Sequence, residues 1–325
     1  MSRGWWLAKR LAVAVLLVYF VMTVVFLFIA LTKDPTIHMV KRAAVMGGLS
    51  GEELDAVLEA YRQSRNLDDP LLERYVNWLI NVTTLDWGRS FTTGKPVTAM
   101  VGRGLLFTAA YLVPALLLAV VGGIALGLYS ATREDSLVAK FSVGLSYVGF
   151  GVPNFLLAWL LMWFVAVELG VFGRGLSDIA GVWSWRTAGN MALAAVVAGS
   201  SILAGQIRYA RAESLEQLGE EFVKLLRAKG AGPRTITRHV LRNAAGPIVS
   251  TAFTELIDVM LVAIIVIELI FGIPGIGHLI HDGVFQRDLP LLIGAAMVLA
   301  FLTVGGTLFQ DVLHASLDPR VSHDE

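Results

Sequence analysis

Two acidic side chains inside a long apolar stretch are the first candidates for chemistry in this sequence. Glu255 and Asp258 are three residues apart, so a helix would carry both carboxylates on one face. A charged group near the middle of a bilayer costs about 2.5–3.5 kcal/mol on insertion scales, and such groups rarely face lipid. Two interpretations stay open. The pair lines a translocation path and attracts cationic groups, or it forms structural ion pairs with a partner helix or lies in the interfacial layer.

The other patterns that could support catalysis or metal binding are weak. His278 and His281 have helical spacing, with Asp282 beside them, but further ligands in register are missing, which favours a solvated loop pair. The Gly-Lys pair at 94–95 lacks the upstream glycine and the following Ser or Thr of a phosphate-binding loop. The chain has no cysteine, so thiolate ligands and nucleophiles are excluded. We therefore expect no catalytic residue, no metal, no cofactor and no nucleotide site in this chain.

The composition indicates a membrane protein. The 325 residues are 56% hydrophobic and 16% charged, with a mean hydropathy of +0.68. Lys+Arg and Asp+Glu are balanced at 26 each, so net charge points to no particular partner. The first apolar stretch is long enough to favour a retained helix over a cleaved signal peptide. We expect an all-α polytopic membrane protein with six transmembrane helices, at 11–32, 105–129, 141–167, 188–207, 247–271 and 291–313.

The short connections between these stretches predict the orientation. The N-terminus, residues 129–140 and 207–246 and the C-terminal tail carry fourteen Lys and Arg residues, against three in residues 168–187 and 272–290. Basic residues accumulate in the cytoplasmic loops of membrane proteins. We therefore expect a multi-pass protein of the cell membrane with both termini in the cytoplasm.

The long segment between the first two apolar stretches then faces outward. It is too rich in Leu, Val and Trp for a bare linker, and helical periodicity at 52–61 and 71–80 predicts a small folded subdomain. In the apolar stretch at 105–129, Gly123 and Gly127 lie on the same helix face as Ala119, and this row of small residues predicts the close approach of another helix. The expected organisation is a tail and first transmembrane helix (1–32), an external subdomain (33–104), a transmembrane core (105–313) and a cytoplasmic tail (314–325).

The most informative segment is the cytoplasmic loop at 208–247, which is far longer than a turn requires. Gly230 suits a left-handed C-cap, and Pro233 suits the first turn of a second helix over 234–243. The predicted helix–turn–helix would project as a docking element, and the alternative is an amphipathic hairpin lying on the lipid surface. Its first helix carries an apolar stripe at Leu215, Leu218, Phe222, Leu225 and Leu226.

Several short segments along the chain carry recognisable motifs. They read KDP at 33–35, DWGRS at 86–90, EFVKLLRAKGA at 221–231, RHVLRNAAGP at 238–247, ELIFGIPGIG at 268–277, FQRDLP at 285–290 and LDPR at 317–320. Together they resemble the permease subunits of ATP-binding-cassette (ABC) importers. The branch that they resemble is the dipeptide, oligopeptide and nickel importers, as the B-type subunit of the binding-protein-dependent transport inner membrane components. The chain departs from the pattern at Glu255 and Asp258, where the family usually has uncharged residues.

The resemblance implies a type I importer permease fold without its own ATPase activity. It implies four kinds of partner: a second homologous permease that shares the path, two cytoplasmic ATP-binding subunits that hydrolyse ATP, an external substrate-binding protein and the lipid membrane, with no nucleic acid. Peptides or similar small solutes would be the cargo. The residues that the resemblance assigns to coupling with the ATPases are Glu221, Phe222, Leu225, Leu226, Arg227, Ala228, Lys229, Gly230 and Pro233.

A different class of transporter remains as the alternative. In a secondary transporter or channel driven by an ion gradient, Glu255 and Asp258 would bind protons or cations. However, no repeated half appears in the sequence, and this class gives no reason for the long docking loop.

Overall fold

The structure is a computed structural model that describes residues 3–31, 35–64, 68–170, 185–259 and 263–317. The regular elements in these ranges are helices, so the predicted all-α class is confirmed. A short π-helical turn, Trp163–Glu168, follows α7. The helices are α1 Arg3–Leu31, α2 Pro35–Met46, α3 Glu52–Ser64, α4 Leu71–Thr83, α5 Val97–Thr132, α6 Leu137–Gly151, α7 Asn154–Met162, α8 Trp185–Gly219, α9 Glu221–Ala228, α10 Pro233–Asp258, α11 Ile264–Phe271, α12 Ile276–Phe285 and α13 Leu289–Leu317.

Four of these helices, α1, α5, α8 and α13, are long and apolar enough to cross a membrane. Two further pairs meet the same criterion jointly, but α6 and α7 are bent by 98° and α11 and α12 by 88°. Pro153 stands at the first bend, and Gly272 ends α11 in the left-handed conformation at the second. The described helices give between four spans and six, and the number is six if each bent pair crosses once.

The expected fifth span, 247–271, comprises the second part of α10 and all of α11, and residues 260–262 between these helices lie outside the described residues. The loop helix predicted at 234–243 is instead the first part of α10, which continues through Pro247. A proline inside a helix removes one backbone hydrogen bond and disfavours the helical conformation of the residue before it. The helix nevertheless continues through this proline to Asp258.

The core of the structure forms where α5 and α8 lie side by side. A Cβ atom on Gly123 would overlap the side chain of Gln206, and one on Gly127 would lie 2.6 Å from the Cβ atom of Ala210. Any larger residue at these two positions would therefore push the helices apart. The predicted close approach of a second helix along this row is confirmed.

The segment between α1 and α5 is folded, as predicted, and its helix α4 packs against α1. Phe26 of α1 contacts Tyr75 and Trp78 of α4, with ring centroids 5.2 and 5.7 Å apart. The hydroxyl groups of Thr23 and Tyr75 share a hydrogen bond of 2.8 Å. After α4, residues 86–96 form a tight hairpin, which leads directly into α5.

Candidate functional site

The helix predicted to dock partners is a separate element in the structure. α8 ends at Gly219, Glu220 has an extended backbone, and α9 then begins at Glu221. The expected stripe is therefore divided, with Leu215 and Leu218 on α8 and the other three apolar residues on α9. Spacing alone suggested one continuous helix because the Gly-Glu step fits the helical period.

The predicted C-cap of α9 is confirmed. Gly230 has a φ of +77°, and its amide donates to the Arg227 carbonyl oxygen at 3.0 Å, while the amide of Ala231 donates to the Leu226 carbonyl oxygen at 3.0 Å. These two bonds form a Schellman motif, which satisfies the last carbonyl groups of the helix. Pro233 then occupies the first turn of α10, as predicted.

The apolar residues of α9 fall on two faces. Val223 is completely buried and packs with Leu128 of α5 and Val240 of α10, next to the half-buried Phe222. Leu225, by contrast, is 55% exposed. The sequence analysis did not single out Val223, although its spacing from Leu226 was an available signal.

The outer surface of α9 combines exposed basic side chains with an exposed leucine. Leu225 projects among exposed charged residues, and Leu226 is half-buried. A short helix that is fixed at its base by Val223 and exposes one leucine can insert into an apolar groove with an acidic rim. The predicted coupling residues that are exposed alongside Leu225 are Glu221, Arg227, Ala228, Lys229, Gly230 and Pro233.

The acidic pair is only partly described. Glu255 lies half-buried on α10, and its Oε2 atom accepts a hydrogen bond from the Gln206 side-chain amide at 3.2 Å. Its carboxylate lies against Gly205 of α8, where any Cβ atom would overlap Oε1. Asp258 is the last residue of α10, and its side chain lies outside the described part of the chain. The structure therefore positions one carboxylate of the pair, at the contact between α8 and α10.

A second carboxylate, Glu268, is completely buried at the bend between α11 and α12. Its Oε1 atom accepts hydrogen bonds from the hydroxyl groups of Thr108 (2.6 Å) and Tyr111 (3.2 Å) on α5. Its Oε2 atom accepts from the backbone amide of His278 at 3.0 Å, in the first turn of α12. A carboxylate at a helix N-terminus satisfies amides that have no partner inside the helix. These bonds join α5 to the bend between α11 and α12.

A third carboxylate, Asp288, was missed by the sequence analysis. It is completely buried, and its Oδ2 atom accepts hydrogen bonds from the hydroxyl groups of Ser90 (2.6 Å) and Thr92 (2.5 Å) in the hairpin before α5. Burial by itself would raise the pKa of the Asp288 carboxyl. The hydrogen bonds from Ser90 and Thr92 together outweigh burial, and the pKa is lowered below its ordinary value. Asp288 thereby joins the 86–90 and 285–290 motifs.

The two histidines on α12 both contact Asp282. The closest approaches of His281 and His278 to its carboxylate are 3.3 and 3.8 Å. Across the described ranges, no three His, Asp or Glu side chains are grouped in a way that would hold a metal ion.

Comparison with known proteins identifies relatives of this architecture. The sequence profile described as "Binding-protein-dependent transport system inner membrane component" matches residues 123–323. The chain is 32% identical over 274 residues to the oligopeptide transport system permease protein AppB of Bacillus subtilis, covering 82% of this chain and 85% of that protein. It is 27% identical over 317 residues to the glutathione transport system permease protein GsiC of Escherichia coli K12, covering 97% and 98%.

The fold is also similar to that of a solved transporter. The chain aligns with a structure of the MetNI methionine ABC transporter in an inward-facing conformation, with a TM-score of 0.53 and 20% identity. The alignment covers 69% of this chain and 99% of the other. At this level of identity the likeness is one of fold.

Proposed function

Because the chain belongs to the family of binding-protein-dependent transport system inner membrane components, it is a permease subunit of an ABC importer, and we propose that α9 couples it to the ATPases. ATPase activity in this family is carried by separate subunits, and the family implies a second permease and a substrate-binding protein as further partners. The observation that carries the proposal is the geometry of α9. It is a short helix with a defined cap at its end, a buried base and an exposed leucine among basic residues.

The packing of α9 gives the proposed coupling its mechanism. Val223 contacts Leu128 at the end of α5 and Val240 in the first part of α10, and these two helices continue into the core. When ATP closes the two ATPases, α9 moves with the subunit on which it docks. Because Val223 is fully packed, a displacement of α9 is passed to α5 and α10 as a rigid-body shift, which alternates access to the path. Gly230 and Pro233 keep the angle between α9 and α10 fixed during this movement.

The solute that we propose is a peptide or a similar small molecule. The relatives are named as oligopeptide, dipeptide and glutathione permeases. The segment 33–104 would face outward, toward a substrate-binding protein, and both termini would be cytoplasmic. A tag inserted near Gly232 should therefore be accessible from the cytoplasm and one near Gly51 from outside. Two tags on the same side would contradict this orientation.

The coupling proposal is tested by a substitution on the exposed face of α9. Leu225→Asp should abolish co-purification of the ATP-binding subunits, because a carboxylate would have to be buried in their apolar groove. The second permease should still co-purify, since Leu225 makes no part of the buried α9 cluster. Leu137→Asp is the matched control: Leu137 is 85% exposed and begins α6, at the proposed cytoplasmic side, where an acidic residue in the first turn is tolerated.

Two outcomes would contradict the proposal. If Leu225→Asp kept its ATPases and its transport rate, α9 would not be the docking element, and a hairpin lying on the lipid surface would explain its amphipathicity. If the unmodified chain co-purified with no ATP-binding subunit and its transport followed an ion gradient, the alternative class of transporter would be right.

A further inference from the structure

We infer that Arg208, held on the ring of Phe150, recognises anionic groups in the translocation path and favours solutes that carry a carboxylate. The inference rests on the proposed import of peptide-like solutes and names a chemical group that the path recognises. Its starting point is that Arg208 lies on α8, a helix apolar enough to cross the membrane, and has no acidic partner among the described residues.

The guanidinium group of Arg208 lies over an aromatic ring. Its Cζ atom is 4.0 Å from the ring centroid of Phe150 on α6. Phe150 is 63% exposed, so its ring lies at the surface of the subunit and not in the core. A guanidinium group in such a contact still has N–H donors that point away from the ring. The ring therefore positions the cation without neutralising its charge.

The polar atoms of Arg208 fall into a buried part and an accessible part. The Nε atom is buried and has no acceptor in the part of the chain that the structure describes. The residue as a whole is half-buried, and its two terminal amino groups, which also lack an acceptor in that part, are not among the buried atoms. Arg211, one turn later, is different, because it donates to the Ser130 carbonyl oxygen and approaches Glu134 at 3.5 Å. The terminal amino groups of Arg208 are therefore available to a ligand.

The side chain of Arg208 reaches back along α8. A Cβ atom on Gly149 would lie 3.0 Å from the Cβ atom of Ala204 and 3.2 Å from the carbonyl oxygen of Ser200. Phe150, the next residue, therefore lies beside the part of α8 that precedes Arg208 by one to two turns. This is the usual direction of a long side chain on a helix. In the proposed orientation it leads from the cytoplasmic end of α8 toward the middle of the membrane, away from the lipid headgroups.

The surface around Arg208 contains other polar groups. Ser201 lies two turns before Arg208 on the same face of α8, and its hydroxyl accepts a hydrogen bond from the Asn154 side-chain amide at 3.3 Å. A charged side chain within a membrane span is costly unless it faces water, a cavity or a partner, and such residues mark solute pathways. A face with a serine, an asparagine and an unpaired arginine is therefore better suited to a water-filled path than to lipid.

A carboxylate matches the available donors. The planar guanidinium group can donate two parallel hydrogen bonds to the two oxygens of a carboxylate, and the opposite charges strengthen both. A neutral amide offers one oxygen and no charge, and a cation is repelled. The C-terminus and the acidic side chains of a short peptide belong to the favoured class, and a peptide with an additional carboxylate should gain most.

The chain is suited to a chemical test because it contains no cysteine. Tyr147→Cys introduces one thiol on α6, a single turn before Phe150, at a position where the native side chain is 70% exposed. The purified importer complex would be treated with anionic sulfonatoethyl methanethiosulfonate or cationic trimethylammonium-ethyl methanethiosulfonate, with and without ATP. The mass of this subunit gives the rates of modification.

Leu137→Cys provides the reference rates. Leu137 is 85% exposed at the start of α6, ten residues or about 15 Å from position 147, which is beyond the Debye length of about 8–10 Å at moderate salt. The ratio of the anionic to the cationic rate at position 147 is divided by the ratio at position 137. This division removes the intrinsic difference between the two reagents.

We expect Arg208→Gln to lower this normalised ratio about tenfold and to leave the rates at position 137 unchanged. Arg208→Lys should keep most of the ratio, because the charge remains. Phe150→Leu should lower it partially, because Arg208 loses the ring that positions it, and this variant tests the site even if Arg208→Gln does not assemble. A ratio that is insensitive to all three substitutions would overturn the inference, as would the absence of reaction at position 147 with and without ATP.

The lipid composition distinguishes a solute site from a headgroup site. The same rates would be measured in nanodiscs of phosphatidylcholine and in nanodiscs of phosphatidylglycerol. We expect the effect of Arg208→Gln to be the same in both lipids. If the effect disappeared in phosphatidylglycerol, an anionic headgroup would occupy Arg208, and the inference would be overturned.

A transport measurement connects the site to the solute. With the same substrate-binding protein, Arg208→Gln should lower import of the dipeptide Ala-Glu about tenfold relative to import of Ala-Gln. An equal loss for both dipeptides would assign Arg208 to helix packing or to a permanent ion pair with the second permease, and would overturn the inference. If the unmodified complex imported neither dipeptide but kept the Arg208-dependent ratio at position 147, the proposed peptide class would be wrong while the anion site would stand.

Discussion

The two ends of the permease core are built in opposite ways. At the α9–α10 turn, the decisive contacts join residues that are close in sequence: the amides of Gly230 and Ala231 cap α9, and Pro233 starts α10. At the two ends of α12, they join residues far apart: Glu268, before the helix, bonds to Thr108 at a sequence separation of 160, and Asp288, after it, bonds to Ser90 at 198. The conformation of the first region is set by local contacts, whereas the second ties distant parts of the chain together.

The difference follows from exposure as well as from chain distance. A capped, exposed helix loses little when a substitution alters its surface, because water satisfies its polar groups. A buried carboxylate with several donors is sensitive to any change that removes one of them, since the remaining polar atoms cannot reach water. We therefore expect substitutions at the bend to affect assembly and substitutions at the turn to affect coupling.

The largest effect is expected from Gly275→Ala at the bend. Its Cβ atom would overlap the Glu268 carboxylate, which cannot move without losing its bonds to Thr108 and to the amide of His278. We expect a destabilisation of about 3 kcal/mol or more and a lower yield of assembled protein, measured by thermal unfolding in detergent. Gly305→Ala on α13 is the control, because no atom lies within 4 Å of its Cβ position. Equal stability of the two variants would show that this carboxylate does not hold the bend.

A smaller loss, of about 1–3 kcal/mol at neutral pH, is expected from Asp288→Asn, which weakens the bonds to Ser90 and Thr92. Because the folded-state pKa of Asp288 lies below its ordinary value of 3.8, its ionised form contributes stability that is present above pH 3.8 and is lost as the pH falls through the folded pKa. The unfolding temperature of the unmodified protein should therefore fall toward that of the variant in strong acid. A constant difference between the two proteins at every pH would contradict the assignment.

At the turn, Gly230→Val should act on coupling and leave assembly intact. A β-branched residue in the left-handed conformation costs about 1–3 kcal/mol, too little to unfold the packed core but enough to shift docking by roughly 5- to 150-fold. The variant should bind its partner permease, transport poorly and lose substrate-stimulated ATP hydrolysis. Gly219→Val serves as the control, because this glycine at the end of α8 has a negative φ and open space around its Cβ position. A similar loss in both variants would show that the left-handed backbone conformation of Gly230 is not the cause of the loss.

The smallest effect is expected from Phe222→Ala on α9. Phe222 is half-buried beside Val223, so its truncation should cost about 1–2 kcal/mol of local packing. We expect reduced coupling of ATP hydrolysis to transport, with normal insertion in the membrane. Wild-type transport under conditions in which ATP turnover is limiting would show that the inner face of α9 tolerates repacking.

Much of the fold and part of the site could be predicted from the sequence. The lengths of the apolar stretches predicted the membrane-spanning helices, because such a helix must hydrogen-bond its own backbone groups and cover about 30 Å. Local residue types determine helix caps and close contacts between helices. The sequence therefore predicted correctly the roles of Gly230, Pro233 and the Gly123–Gly127 row. The break at Glu220 was not anticipated, since a short interruption leaves the helical period of the apolar residues unchanged.

Only the tertiary structure decided which face of α9 is buried and what the carboxylates contact. Val223 and Leu225 are both apolar and two residues apart, and packing against Leu128 and Val240 selects the first as the base of the helix. Glu255, Glu268 and Asp288 look alike in the sequence. Their surroundings differ because each meets donors contributed by a distant segment, and the geometry that brings those segments together is a property of the whole packed chain.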